Sequence, residues 1–190
     1  TGLGKMKRLS HTVLFVLAVC IYAFGGFSLV PEYLSRKMEK QVYKTYGKDV
    51  ACNAVELPDS LAADHKLFRI SGSDSTYGFT LISRALGCKV GGCDKPNDES
   101  KDATSFEQFF YMTAFNNGCC VKRVRVLEYS SNHGYQIANR GWLKQFEKDM
   151  TYKVGQNIDG ISGATISVNS ITKGVNQQVR IIRDFTRGLK

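Results

Sequence analysis

The sequence predicts an α+β domain, an antiparallel sheet with flanking helices, set behind an N-terminal transmembrane helix. Three observations carry this expectation. His11 to Val30 (HTVLFVLAVCIYAFGGFSLV) is a run of twenty residues without Asp, Glu, Lys or Arg. Between residues 67 and 129, short stretches rich in aromatic and β-branched residues alternate with turns rich in Gly, Asn and Ser, the pattern of strands joined by reversals. From Val168 to Phe185, apolar residues return every three or four positions, as on an amphipathic helix. Strands grouped in the middle, with helices before and after them, indicate α+β rather than alternating α/β.

At 1.5 Å per residue, a helix over 11–30 spans about 30 Å, the thickness of a bilayer's hydrocarbon core. Lys5, Lys7 and Arg8 precede it. A cleaved signal peptide has the same order of charge and apolar run. The length of this run, and the lack of a clean small-x-small site after it, favour a spanning helix. Leu17-Ala18-Val19-Cys20 resembles a lipoprotein cleavage site, but Val19 is large for the position before the cysteine. The basic residues do not orient the span: Lys5, Lys7 and Arg8 lie on one side, and Arg36, Lys37, Lys40 and Lys44 on the other, diluted by Glu32 and Glu39.

Residues 31–50 read as a helical stalk. Leu34, Met38, Val42 and Tyr46 share one face, and Gly47 is a stop signal. The domain proper is expected over 51–190. Leu67 to Ile70 is a strand, followed by the turn-rich Ser71-Gly72-Ser73-Asp74-Ser75, and Tyr77 to Leu86 is a second strand. Gly87 to Asp102 reads as an exposed loop. Phe106 to Phe115 is a buried strand, reversed at Asn116-Asn117-Gly118 into Cys119 to Tyr129. Arg140 to Lys148 is a short helix with Trp142, Leu143 and Phe146 inward. In the last helix Val168, Ile171, Val175, Val179, Ile182 and Phe185 face inward, while Asn169, Asn176, Gln177 and Arg180 take other faces. Ser167 is the expected N-cap, and Arg183, Arg187 and Lys190 suit the C-terminus electrostatically.

Composition narrows the class of partner. The chain has 190 residues, 43% of them apolar, and a net charge of +9. That is enough apolar material for a core and shows no bias toward disorder. The basic residues are scattered and no nucleic-acid motif accompanies them, so the charge is read as facing membrane lipid or an acidic partner, and no nucleic acid is expected. Six cysteines are many for a cytosolic protein of this size. A Cys88–Cys93 disulfide is the favoured reading. A four-cysteine metal site with Cys119 and Cys120 is the alternative, but its spacing matches no standard pattern, and no metal is assigned. His11, His65 and His133 are isolated, and no Ser/His/Asp grouping points to hydrolysis.

Asp159-Gly160-Ile161-Ser162-Gly163-Ala164-Thr165-Ile166-Ser167 carries the chemistry. Gly160 and Gly163 permit tight backbone geometry, and Ser162, Thr165 and Ser167 supply hydroxyls. A helix beginning here turns free N–H groups toward the loop, a setting that suits phosphate. Taken alone, the segment also reads as an ordinary capped helix start.

The order of residues, Asp-x-x-Ser-Gly-Ala-Thr-x-Ser, resembles the flavinylation motif of the FMN-binding domain family. That family includes the periplasmic flavin subunits of Rnf and sodium-pumping NADH:quinone reductase complexes. Trp142-Leu143-Lys144-Gln145-Phe146, the single N-terminal span and the motif's place before a last helix are similar to the G-type Rnf subunit. The resemblance implies covalent FMN on Thr165, placed there as a phosphoester by a flavin transferase whose own metal neutralises phosphate charge. It also implies contacts from Ser162 and the Gly163 N–H to the phosphate, with Ala164 completing the motif. Asp159 is read as recognised by the transferase or as a local turn residue, and Ser167 as a cap. Trp142, Tyr77 and Tyr135 are candidate platforms for the isoalloxazine. Location follows from the family too: residues 1–10 in the cytoplasm and the domain outside the cytoplasmic membrane. Function follows likewise: an electron-transfer subunit working with integral-membrane redox subunits rather than an independent enzyme. A stand-alone flavoprotein serving an extracytoplasmic reductase, and a flavin-free assembly subunit, are the rivals.

Overall fold

The structure, a computed structural model, describes residues 28–73, 75–89, 106–130, 132–148 and 151–188. Most of the expected span at 11–30 therefore lies outside the described residues. Its last three residues are described and are not helical. Leu29 N–H donates to the Ala63 carbonyl at 2.9 Å, and Val30 is buried, so these residues are part of the domain. Among the described residues no helix is long and apolar enough to cross a membrane.

Five strands form one antiparallel sheet in chain order: β1 (Ala51–Val55), β2 (His65–Ser71), β3 (Thr76–Lys89), β4 (Phe106–Asn116) and β5 (Val121–Tyr129). The expected strands are present, the first three of them longer than their apolar stretches. β1 and the single turn α2 (Asp59–Ala62) are additional elements. The reversal at Asn116-Asn117-Gly118 is observed, but β5 begins at Val121 rather than Cys119. Cys119 adopts φ +62°, and Cys120 N–H is held by the Asn116 side-chain oxygen at 2.9 Å. Both cysteines are therefore spent in the turn.

A helix covers each face of the sheet. α1 (Tyr33–Tyr46) sets Leu34, Met38 and Val42 against Phe68, Ile70, Ile82, Met112 and Ala114. This is the segment expected as a stalk. Its apolar stripe finds a partner in the sheet, because burying each such side chain is worth about 1.5–3 kcal/mol. Tyr46 donates to the Phe115 carbonyl at 2.6 Å, and Lys37 meets Glu128 at 2.6 Å.

On the other face lies α4 (Thr165–Arg187), whose Val168, Ile171, Val175, Val179 and Ile182 pack on Leu81, Phe109, Tyr111 and Phe115. α4 runs antiparallel to β3. Ser167 lies beside Cys88, Gln178 reaches Ser83 at 2.6 Å, and Phe185 meets Phe79 edge-on at 5.8 Å. Thus the start of α4 sits at the end of the sheet remote from the Asn116 hairpin. Under the middle of α4, His65 Nδ1 lies 2.6 Å from the Ser83 hydroxyl. Burial pushes the His65 pKa below its ordinary value, and a neutral imidazole suits this contact.

Candidate functional site

α4 begins at Thr165, with Ala164 as N-cap and no side-chain capping bond. The expected cap at Ser167 is a misplacement by three residues. A turn closes from Ala164 N–H to the Ile161 carbonyl at 3.1 Å, with Gly163 at φ +73° in its third position. That left-handed residue swings the chain into the helix early. Ser167 becomes the third helical residue and is fully buried, its Oγ 2.7 Å from the Tyr129 hydroxyl and 3.4 Å from Cys88 Sγ.

Two hydroxyls in the first turn of α4 therefore have opposite environments. Ser167 points into the domain. Thr165 is exposed at the rim of a hollow of about 250 Å³ lined by Val154, Gly160, Ile161, Ser162, Val168 and Asn169. Ser162 is exposed beside it, while Ala164 is buried and anchors the turn in the core. Space around Gly160 and Gly163 is open, with no atom within 4 Å of a hypothetical Cβ. An uncapped helix start leaves its first N–H groups without intrahelical acceptors and carries partial positive charge. The donor set and the open cradle fit a phosphate ester on Thr165.

The loop leading to this point is held by side-chain amides and one indole. Trp142 Nε1 donates to the Asp159 carbonyl at 2.9 Å, and Asp159 N–H donates to Gln145 Oε1 at 2.9 Å. Both bonds depend on α3 (Arg140–Leu143) and the 3-10 turn Lys144–Phe146, where Asn139 caps α3 by accepting from Gly141 and Trp142 N–H groups. Seven residues earlier, Asn176 of α4 bonds both backbone groups of Tyr152, at 3.0 and 2.8 Å. With its backbone held on both sides, Asp159 keeps an exposed side chain.

Of the expected platform residues, Trp142 is half-buried and already employed in holding Asp159. Tyr135 is exposed and follows Gly134, which packs directly on Ser167. Tyr77 lies at the start of β3, the far end of the sheet from Cys88, and the structure does not bring it to the site.

Several supporting residues escaped the sequence reading. Tyr129, at the end of β5, donates to the His133 carbonyl at 2.7 Å and faces Ser167. Gly134 has φ +82°, and a Cβ there would lie 2.6 Å from both Ser167 Oγ and the Tyr129 hydroxyl oxygen. A glycine among small polar residues just after a strand was the available signal. Cys88 is disulfide-bonded; its expected partner Cys93 lies outside the described residues, and Cys52, Cys119 and Cys120 are free.

Residues 107–180 match the family model of the FMN-binding domain. No curated protein gives a significant match to the chain. The matched stretch runs from β4 through the Trp142–Gln145 clamp and the Thr165 turn into α4. Over residues 107–180, then, the chain is similar to the FMN-binding domain family.

Proposed function

We propose that this protein is a membrane-anchored electron-transfer flavoprotein whose FMN is joined to Thr165 by a phosphoester. One observation carries the reading: within the FMN-binding domain, Thr165 is an exposed hydroxyl on the first residue of a 23-residue helix that lacks a side-chain cap. The helix start offers N–H donors and positive potential to the phosphate, and Ser162 lies beside it in the same hollow. Asp159, exposed and held by its backbone, is available to the transferase that performs the attachment. When bound, FMN supplies the one- and two-electron chemistry, and the protein sets its position and potential.

The chain's own residues have defined tasks in this scheme. During maturation, inside the transferase, Thr165 Oγ would attack the FMN phosphorus of FAD, the bond to AMP would break with AMP leaving, and the hydroxyl proton would pass to a base of the transferase. Gly163 shapes the turn that exposes that oxygen. Ser167 and Tyr129 fix the helix start from below. Anchoring rests on the uncharged run: His11 to Phe27 still provides seventeen residues ahead of the domain, at the lower end of the spanning range of roughly 17–25. The family resemblance supports an extracytoplasmic domain and a place in an Rnf- or Nqr-like ion-translocating complex beside integral-membrane redox subunits. Covalent attachment suits a compartment that does not replenish FMN.

The test is denaturing electrophoresis under ultraviolet light after co-expression with a flavin transferase. The band should fluoresce, with the mass increased by one FMN less one water, and Thr165→Ala should abolish both signals. A non-fluorescent band of unmodified mass would overturn the assignment and favour a flavin-free assembly subunit. Co-purification of integral-membrane partners from native membranes supports the complex. A solitary protein supports the stand-alone relay.

A further inference from the structure

A second hollow of about 470 Å³ continues from the Thr165 hollow along α4, sharing Val154 and Asn169 with it. Three cations line it: Lys153 from the loop, and Lys173 and Arg180 from the helix. All three are exposed. No carboxylate lines the groove, and among the described residues none of the three is in an ion pair. Asp159 is not among the residues lining the Thr165 hollow, and Asp184, four residues beyond Arg180 on the helix, is paired with Arg187 at 3.4 Å. Its other lining groups include the neutral Thr151, Thr172 and Asn176.

We infer that this groove is the docking surface for an electron-transfer protein that presents an acidic face. The inference rests on the reading of Thr165 as the flavin site. Lys173 lies eight residues beyond Thr165, about 12 Å along the helix axis at 1.5 Å per residue. A partner seated over Lys153, Lys173 and Arg180 brings its own redox centre beside the flavin end of the helix. One electron then passes between the reduced and the oxidised centre, and no covalent bond forms or breaks. Unpaired cations in a shared concavity reinforce one another and steer an acidic partner. Direct contact gives the pair its register, while long-range attraction is cut by salt over about 8 Å at physiological ionic strength.

Two triple variants separate a local surface from overall charge. Lys153→Glu with Lys173→Glu and Arg180→Glu reverses the groove's charge. Arg36→Glu with Lys40→Glu and Lys48→Glu makes the same change of net charge on and just beyond α1, on the other face of the sheet, where all three are exposed. The probe is an acidic blue-copper protein, with a basic cytochrome c as control. Binding is measured by titration at low ionic strength on the full chain, both flavin-bearing and as Thr165→Ala. The groove variant should weaken binding of the acidic probe by about tenfold or more and the α1 variant by less than about threefold. The Thr165→Ala chain should still bind, because the groove does not require the flavin; loss of its fluorescence alone concerns the attachment site, not this surface. Equal weakening by both triple variants would overturn the proposal in favour of net-charge attraction. Unchanged binding in the groove variant, with loss of sedimentation on phosphatidylglycerol vesicles, would overturn it in favour of a lipid contact.

Discussion

The two helices that cover the sheet differ in what they bury. α1 presents Leu34, Met38 and Val42 to apolar side chains of the sheet, and its polar bonds lie at its rim. α4 buries a longer apolar stripe but also takes Ser167, Thr172 and Gln178 out of solvent. Each of these requires a partner, since an unmatched buried polar group costs about 1–3 kcal/mol. Ser167 meets Tyr129, Thr172 donates to the Val168 carbonyl, and Gln178 donates to Ser83. The apolar side of the sheet contributes stability. The mixed side fixes the axial position and rotation of one helix, and with them the place of Thr165.

The sharpest break in this comparison comes from Thr165→Ala, which should remove all covalent flavin while leaving thermal unfolding within about 0.5 kcal/mol of wild type, as exposed substitutions do. Met38→Ala should do the reverse. It opens a cavity under α1 and should cost about 2–5 kcal/mol by denaturant titration, with the folded fraction still accepting flavin fully. If Met38→Ala abolished labelling of folded chains, the two faces would not be separable. Ser167→Ala falls between them: loss of the Tyr129 contact should cost about 1–2 kcal/mol, and the band should still fluoresce.

Acidity sharpens the same contrast on the α4 side. The folded chain holds His65 below its ordinary pKa by burial, whereas the unfolded chain titrates near 6.5. As pH falls below about 6.5, the unfolded state binds the proton first, so stability drops until the folded pKa is reached. His65→Gln should flatten that slope in chemical denaturation between pH 7 and 5. The smallest effect belongs to the α1 side, where Lys37 and Tyr33 hold Glu128 below its usual pKa. Glu128→Gln should cost less than about 1 kcal/mol and lose its effect at high salt.

Periodicity reveals α4 in the sequence because 23 residues give several turns of evidence for one apolar stripe. The hairpin is equally visible, since Asn-Asn-Gly stands between two aromatic and β-branched runs. α1 shows its stripe but not what covers it: the spacing of Leu34, Met38 and Val42 is the same on a free stalk and on a docked helix. β1 is an edge strand with little burial, so no alternation marks it. The motif shows the hydroxyls but not their directions. Ser167 is a better capping residue than Ala164 by type, and only the turn at Gly163 shows that the helix starts sooner. Tyr129, Gln145 and Asn176 are far from Thr165 in sequence, and their support depends on sheet register and helix rotation.

The bonds from Trp142 and Gln145 to Asp159 exist only once residues 140–146 have wound into their turns. A transferase that reads the loop by its shape thus meets a recognisable substrate only in chains that have completed that part of the domain. On the proposed reading of Thr165, labelling would then double as a checkpoint in biogenesis: misfolded copies would remain colourless, and the yellow fraction would count the molecules whose domain is complete.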